Sequence, residues 1–289
     1  MHRTIAVFIC AVIPSLGQAQ TPTRPPITTA GASSVTVINA LGYVRIEGWN
    51  LDSVSAVGAE SDSVTIRRDA TGEIRIYPRR DKAGGNFSRS DIFVRVPRNI
   101  RVNVDGHQTK VDVSGLTGRV AVSAGVDGDI KISGILDEVI VDAAYSDIEL
   151  HVTSPYVRAK SASGRIRWTG SSADVLLSTV TGGITIQAGS IGRGRFESTS
   201  GDIHFLGGLT GRASVAFETH SGDITAEFAK GTTAEVIVSG PVTDLFGLHG
   251  TSTLDQAARG GVVQVLGGKT DATVTLRSFK GKVTAAIQP

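Results

Sequence analysis

The chain has 289 residues, with 29 Lys and Arg against 27 Asp and Glu and a net charge of +2 with neutral histidine. That near-balance gives no general drive toward nucleic acid, and the single cysteine excludes an internal disulfide or a cysteine-built metal site. Glycine is abundant, with 35 residues, and Val, Ile and Thr are plentiful, so composition points to an all-β protein.

The first twenty residues read as an export signal. His2 and Arg3 give a basic start, Ile5 to Ile13 form an apolar stretch ended by Pro14, and Gly17-Gln18-Ala19 offers small residues at the two cleavage positions. The apolar stretch is too short to span a bilayer as a helix. Residues 1–19 are therefore expected to be a signal peptide, with Gln20 as the mature start. Cys10 lies inside it, preceded by Val7-Phe8-Ile9 instead of the small residues a lipid-attachment site requires. The mature protein would carry no cysteine, and no later segment is long and apolar enough to anchor it as a transmembrane helix. Residues 20–32 hold Pro22, Pro25 and Pro26 and suit an extended tether.

From 33 to 105 the pattern predicts strands with real loops between them. Gly42-Tyr43-Val44-Arg45-Ile46 and Thr71-Gly72-Glu73-Ile74-Arg75-Ile76 alternate apolar and polar residues, and Arg79 to Ser90, with Gly84-Gly85, is the clearest loop. Regular coils are expected over 106–228. Thr109-Lys110-Val111-Asp112-Val113 is a first rung. Then follow Gly128-Asp129-Ile130, Ser146-Asp147-Ile148, Gly164-Arg165-Ile166, Gly182-Gly183-Ile184, Gly201-Asp202-Ile203 and Gly222-Asp223-Ile224. Their isoleucines lie 18, 18, 18, 19 and 21 residues apart. Two residues after each stands Ile132, Leu150, Trp168, Ile186, Phe205 or Ala226. Over 229–289 the register is interrupted, from Gly240-Pro241 to Gly261, before Gly281-Lys282-Val283 restores it.

A fixed period near twenty residues means stacked units, here the coils of a single-stranded β-solenoid, or β-helix, with irregular capping ends. Each coil has two short strands, as in Val157-Arg158-Ala159 and Ile166-Arg167-Trp168, with one side chain in two facing inward. The recurring glycine implies either a corner with positive φ or a backbone crowded by the coils above and below. The hydroxyl just before it, in Ser163, Thr181, Ser200 and Ser221, is expected to hold that corner through a local amide.

With these residues laid out, the sequence resembles the bacterial exported proteins known by the name "putative adhesin", a DUF4097-like β-strand-repeat family of unknown function. The carriers are the serial Ser/Thr-Gly-Asp-Ile phrases, Val35-Thr36-Val37 leading to Gly48-Trp49, Phe93-Val94-Arg95-Val96-Pro97-Arg98, and the closing Phe279-Lys280-Gly281-Lys282-Val283. The resemblance covers nearly the whole mature chain. It implies an exported β-solenoid of the cell envelope, periplasmic or extracellular, and brings no active site with it.

Four groups of residues are candidates for chemistry. Asp129, Asp147, Asp202 and Asp223 share one slot and could form a calcium row, but Arg165 and Gly183 interrupt it, and Asp favours such corners by capping amides. Asp127, Asp129, Asp142, Asp147 and Glu149 form the densest acidic group, as a polysaccharide lyase or hydrolase would need. Against that, the repeat is most regular there. His107, His151, His204, His220 and His249 lack metal-ligand spacing, and neither Gly182-Gly183 nor Gly207-Gly208 opens a helix that could cradle phosphate. The basic stretch from Arg67 to Arg101 could meet an anionic surface, or simply be a solvated strand face. The expectation is a non-enzymatic structural or binding module without catalytic residues, metal or cofactor. Its partner would be an envelope protein or polysaccharide. The alternative is a carbohydrate-active β-helix using the acids near Asp129 and Asp147.

Overall fold

The computed structural model describes residues 26–59, 64–79, 89–240, 242–246, 262–266 and 271–288. The expected signal peptide lies outside them. The described residues contain strands, turns and bends and no helix, and they form the β-solenoid that the repeat predicts. Each central coil is one long strand bent round a corner: Ile148–Ser161, Ile166–Thr179, Ile184–Ser198 and Ile203–Thr219. The two short strands read from the sequence are thus joined through this far corner.

Neighbouring coils pair in parallel, slot against slot. Ile130, Ile148, Ile166, Ile184, Ile203 and Ile224 stand in one column, all buried. Ile132, Leu150, Trp168, Ile186 and Phe205 form a second buried column beside it. The one and three extra residues of the two longest coils are absorbed at the far corner, where the register shifts between Ala188 and Arg193. Those wider coils are filled by rings. Phe196 stacks on Phe217 at 4.9 Å, and Phe205 lies 5.2 Å from Phe217 and 5.6 Å from Phe228. Trp168 buries its indole and donates Nε1–H to the Val152 carbonyl at 3.1 Å, which removes the cost of a buried donor.

The glycine corner is fixed by crowding. None of Gly164, Gly182, Gly201, Gly222 and Gly281 has a positive φ. A Cβ on Gly182, Gly201, Gly222 or Gly281 would come within 2.0–2.1 Å of the carbonyl oxygen of the glycine one coil earlier. The hydroxyl that holds this corner is not the one expected: Ser163, Thr181, Ser200 and Ser221 are exposed. The buried Ser161, Thr179, Ser198, Thr219 and Ser278, three residues before each glycine, hold it instead. Thr179 Oγ1 accepts the Gly182 N–H at 3.0 Å and donates to the Gly164 carbonyl of the previous coil at 3.3 Å. The same pair of bonds recurs at Ser161, Ser198, Thr219 and Ser278. Each hydroxyl therefore uses its donor and an acceptor lone pair without water.

Both ends of the stack are out of sequence order. Ser34–Trp49 lies between Val102–Leu116 on one side and Glu73–Pro78 with Ser90–Pro97 on the other. At the opposite end Thr273–Ser278 enters between Ser214–Thr219 and Ala234–Ser239, and Lys282–Ile287 between Ile224–Phe228 and Val242–Phe246. The outer rungs then meet antiparallel strands: Val64–Arg68 on Glu73–Pro78, Ser53–Gly58 on Ser90–Pro97, and Val262–Leu266 on Ala234–Ser239. Reversal of direction stops the parallel ladder from templating a further coil. Within the stretch read as a tether, Ile27–Thr28 pairs antiparallel with Ser53 and Val54.

The column assignment makes a direct prediction. Replacing the fully buried Ile166 by Asp leaves an unpaired charge between Ile148 and Ile184, costing at least ~3 kcal/mol. Replacing the exposed Arg167 by Asp costs far less, within about 1 kcal/mol. Equal losses in denaturant titrations of the two variants would show the faces to be misassigned.

Candidate functional site

The outward face of the first strand of each coil carries the acids. One column reads Arg45, Asp112, Lys131, Glu149, Arg167 and then Thr185, His204, Thr225 and Thr284, in register from coil to coil. Its first five members alternate in sign, so Asp112, Lys131 and Glu149 each have opposite charges about 4.8 Å above and below. Glu149 is held by Lys131 Nζ at 3.0 Å and by His151 Nε2 at 3.0 Å. Those hydrogen bonds, His151 first and Lys131 next, keep its carboxyl below the ordinary glutamate range.

The aspartate slot stands beside this column. Lys110 Nζ lies 3.3 Å from Asp129, and Arg165 Nη2 2.8 Å from Asp147. Asp147 also accepts the Arg165 backbone N–H at 2.8 Å. Partial burial alone would raise its pKa, but the Arg165 bonds and charge outweigh that and leave it lowered. Asp202 accepts the Asp223 N–H at 2.8 Å, and Asp223 accepts the Lys282 N–H at 2.7 Å. Asp147, Asp202 and Asp223 do cap amides, but of the next rung and not of their own turn. The slot is a stitch between coils.

This arrangement bears on both sharp readings of the acids. Asp129, Asp147 and Glu149 do come together, round a shallow depression of about 140 Å³ that Lys131, Arg165 and Arg167 also line. Asp142 is on the other strand of the coil, paired in register with Ser123 and Lys160. Asp127 is an extra corner residue at φ 52°, a left-handed conformation that Asp tolerates. A sugar-cleaving general acid needs a raised pKa, and the shifts of Asp147 and Glu149 run the other way. As for metal, no group of three or more His, Cys, Asp or Glu suited to an ion occurs among the described residues.

The remaining candidates are scattered. Arg75 pairs with Glu73 at 2.8 Å, Arg95 with Glu47 at 3.6 Å and Arg89 with Asp91 at 3.6 Å, while Arg68 donates to the Ala30 carbonyl. These are members of solvated strand faces. Arg80, Lys82 and His249 lie outside the described residues. Gly182-Gly183 leads into a strand, and Gly207-Gly208 lies within one.

Sequence reasoning passed over the corner ridge. Ala144, Ala162, Val180 and Thr199 follow one another from coil to coil through backbone hydrogen bonds, and Lys280 N–H meets the His220 carbonyl in the same way. Most of this line is small, but Val180 is 50 % exposed and Phe279 68 %. The Phe279 ring lies flat on His220, with centroids 5.0 Å apart and planes 10° from parallel. Beside them opens a groove of about 490 Å³ lined by Ser178, Glu197, Glu218 and Arg277. A second open cleft, about 580 Å³, lies near the start of the stack between Thr29–Ser33 and Asn99–Arg101, with Asp52, Arg119 and Asp137 in its walls. The signal for the ridge was available: the residue after each buried hydroxyl must point outward, and at 279 it is phenylalanine.

Two solution measurements follow. With the aspartates occupied by lysine, arginine and amide partners, the melting temperature should be the same in millimolar calcium and in chelator. A calcium-dependent rise, lost on replacing Asp129 and Asp147 by Asn, would make the row a site. Acid should act differently. Folded-state values of Asp147 and Glu149 are lowered, so their contribution is complete above the ordinary carboxylate range and fades as pH falls through the lowered values. The variant Asp147→Asn with Glu149→Gln should melt slightly below wild type at neutral pH and converge on it in acid. Parallel melting curves at every pH would contradict the pairing.

Residues 43–284 match the Toastrack DUF4097 family. No curated protein matches the chain. A structure named as a "putative adhesin" from Bacteroides fragilis is 13 % identical, covers 92 % of this chain and 99 % of its own, and has a TM-score of 0.47. A "putative lipid binding protein" from Parabacteroides distasonis is also 13 % identical, with 91 % and 94 % coverage and a TM-score of 0.46. A "putative cell adhesion protein" from Clostridium sporogenes is 12 % identical, with 91 % and 97 % coverage and a TM-score of 0.25. The match over residues 43–284 takes in most of the chain and all of the central coils, and this chain belongs to the Toastrack DUF4097 family.

Proposed function

We propose that the protein is exported and serves in the bacterial cell envelope as a non-catalytic, adhesin-like binding module. Its solenoid would be a rigid rack that holds side chains at fixed intervals against an envelope partner. The observation that carries this reading is the use made of the central acids. Asp129, Asp147 and Glu149 are each bound to a base, with Asp147, Asp202 and Asp223 stitched to amides of the following rung. Groups so held maintain register and are not poised for proton transfer. Export rests on the sequence pattern of residues 1–19. No helix among the described residues is long and apolar enough to cross a membrane.

Expression with the native leader in a bacterial host tests both parts. Mass spectrometry of protein recovered from the envelope should find Gln20 at the N-terminus, and retention of Met1 would refute export with cleavage. Incubated with a panel of acidic and neutral polysaccharides, the purified protein should release no new reducing ends and no unsaturated product. Product that disappears on Asp147→Asn would establish the carbohydrate-active alternative instead.

A further inference from the structure

We propose that the corner groove beside Phe279 is a binding subsite for a neutral glycan, which names a ligand class for the envelope-binding module and rests on that reading. The ring is large, two-thirds exposed and held flat by His220, so its outer face is a preformed apolar plane in an otherwise polar setting. Glu218 and Arg277 are register partners on adjacent strands beside it, and Glu197 is the register partner of Glu218 on the other side. The three lie on successive rungs, about 4.8 Å apart.

A sugar ring has two chemistries, an apolar C–H face and a rim of hydroxyls that both donate and accept. The Phe279 plane suits the first. The Glu218 carboxylate, which accepts, and the Arg277 guanidinium, which donates, on consecutive rungs suit the second; Glu197 on the next rung is already held by Arg195. The other classes of ligand fit less well. A polyanion would meet Glu197 and Glu218, and a polycation would meet Arg277. A peptide adding as a strand needs a free sheet edge, whereas Thr273–Ser278 and Ser214–Thr219 are each paired on both sides. A helical peptide or a lipid surface needs a broad apolar area, and here there is one ring with Val180 beyond it. Because the groove runs across rungs, an extended chain of sugars can lie along the stack.

Calorimetric titration with cellohexaose, maltohexaose and chitohexaose, with polygalacturonate as the charged comparison, tests the proposal. At least one neutral hexaose should bind saturably. Phe279→Ala should weaken that binding about tenfold and Glu218→Gln several-fold, as loss of one stacking plane or one charged acceptor implies. Both positions are on the surface, so melting temperatures should be unchanged. Tyr145→Ala, at another exposed aromatic nearer the start of the coils, should leave affinity unaltered. Failure of all three hexaoses to bind, affinity indifferent to Phe279→Ala, or preference for polygalacturonate would overturn the assignment. Sedimentation with isolated envelopes separates the two levels. If wild type and Phe279→Ala sediment equally, the groove is wrong while the module stands; if wild type cleaves a hexaose, the non-catalytic reading fails.

Discussion

Everything in this fold depends on backbones that stack in register at the glycine corner with no room for a Cβ between them. Parallel pairing by itself tolerates slippage along the strand. The corner does not. The glycine of one coil lies so close to the carbonyl of the glycine before it that a side chain there would overlap the oxygen. The buried hydroxyl three residues earlier then bonds both to that glycine's amide and to the carbonyl of the previous rung. Once the corners coincide, the isoleucine two positions on must coincide too, and the core columns follow. This explains why the short coils and the long ones share an identical stretch from hydroxyl to isoleucine, with every extra residue displaced to the far corner.

Much of this was legible in the sequence because it is periodic. A side chain that recurs in the same slot meets its own counterpart one coil away, so repetition in one dimension becomes contact in three. The Ile and Leu/Trp/Phe columns could be read in that way. The corner was harder, since hydroxyls stand in two columns, at Ser163 and Thr181 and also at Ser161 and Thr179. Composition does not say which column is buried; the inward alternation from Val157 and Ala159 to Ser161 does, once it is counted through. The aspartates were read as capping amides, which holds in kind for Asp147, Asp202 and Asp223. Their partners are a full coil away, a relation that local turn chemistry does not suggest.

The ends could not be read from period alone. Insertion of Ser34–Trp49 inside Ser90–Pro97, and of Thr273–Ile287 inside Ala234–Phe246, places early and late segments one rung in from the edge. No local pattern distinguishes a strand that joins the outside of a stack from one that slides within it, because both present the same alternation. The physical advantage is plain. The inserted segments are gripped on both sides, and antiparallel strands cover Glu73–Pro78, Ser90–Pro97 and Ala234–Ser239. Such pairings span longer stretches of chain than the regular coils, so closing the ends costs modestly more loop entropy.

A division of labour follows from these constraints. Where charges serve the register, on the face running from Arg45 to Arg167, Asp129, Asp147 and Glu149 are each paired along the stack and have little left for a ligand. At the corner the backbone supplies the register through hydroxyl and glycine, and the residue between them is free of structural duty. Ala162, Val180, Thr199, His220 and Phe279 differ widely in size and chemistry for that reason. A stacked solenoid thus concentrates its capacity for recognition where its stability asks nothing of the side chain. In this protein that place is the corner ridge, and the exposed Phe279 ring stands there.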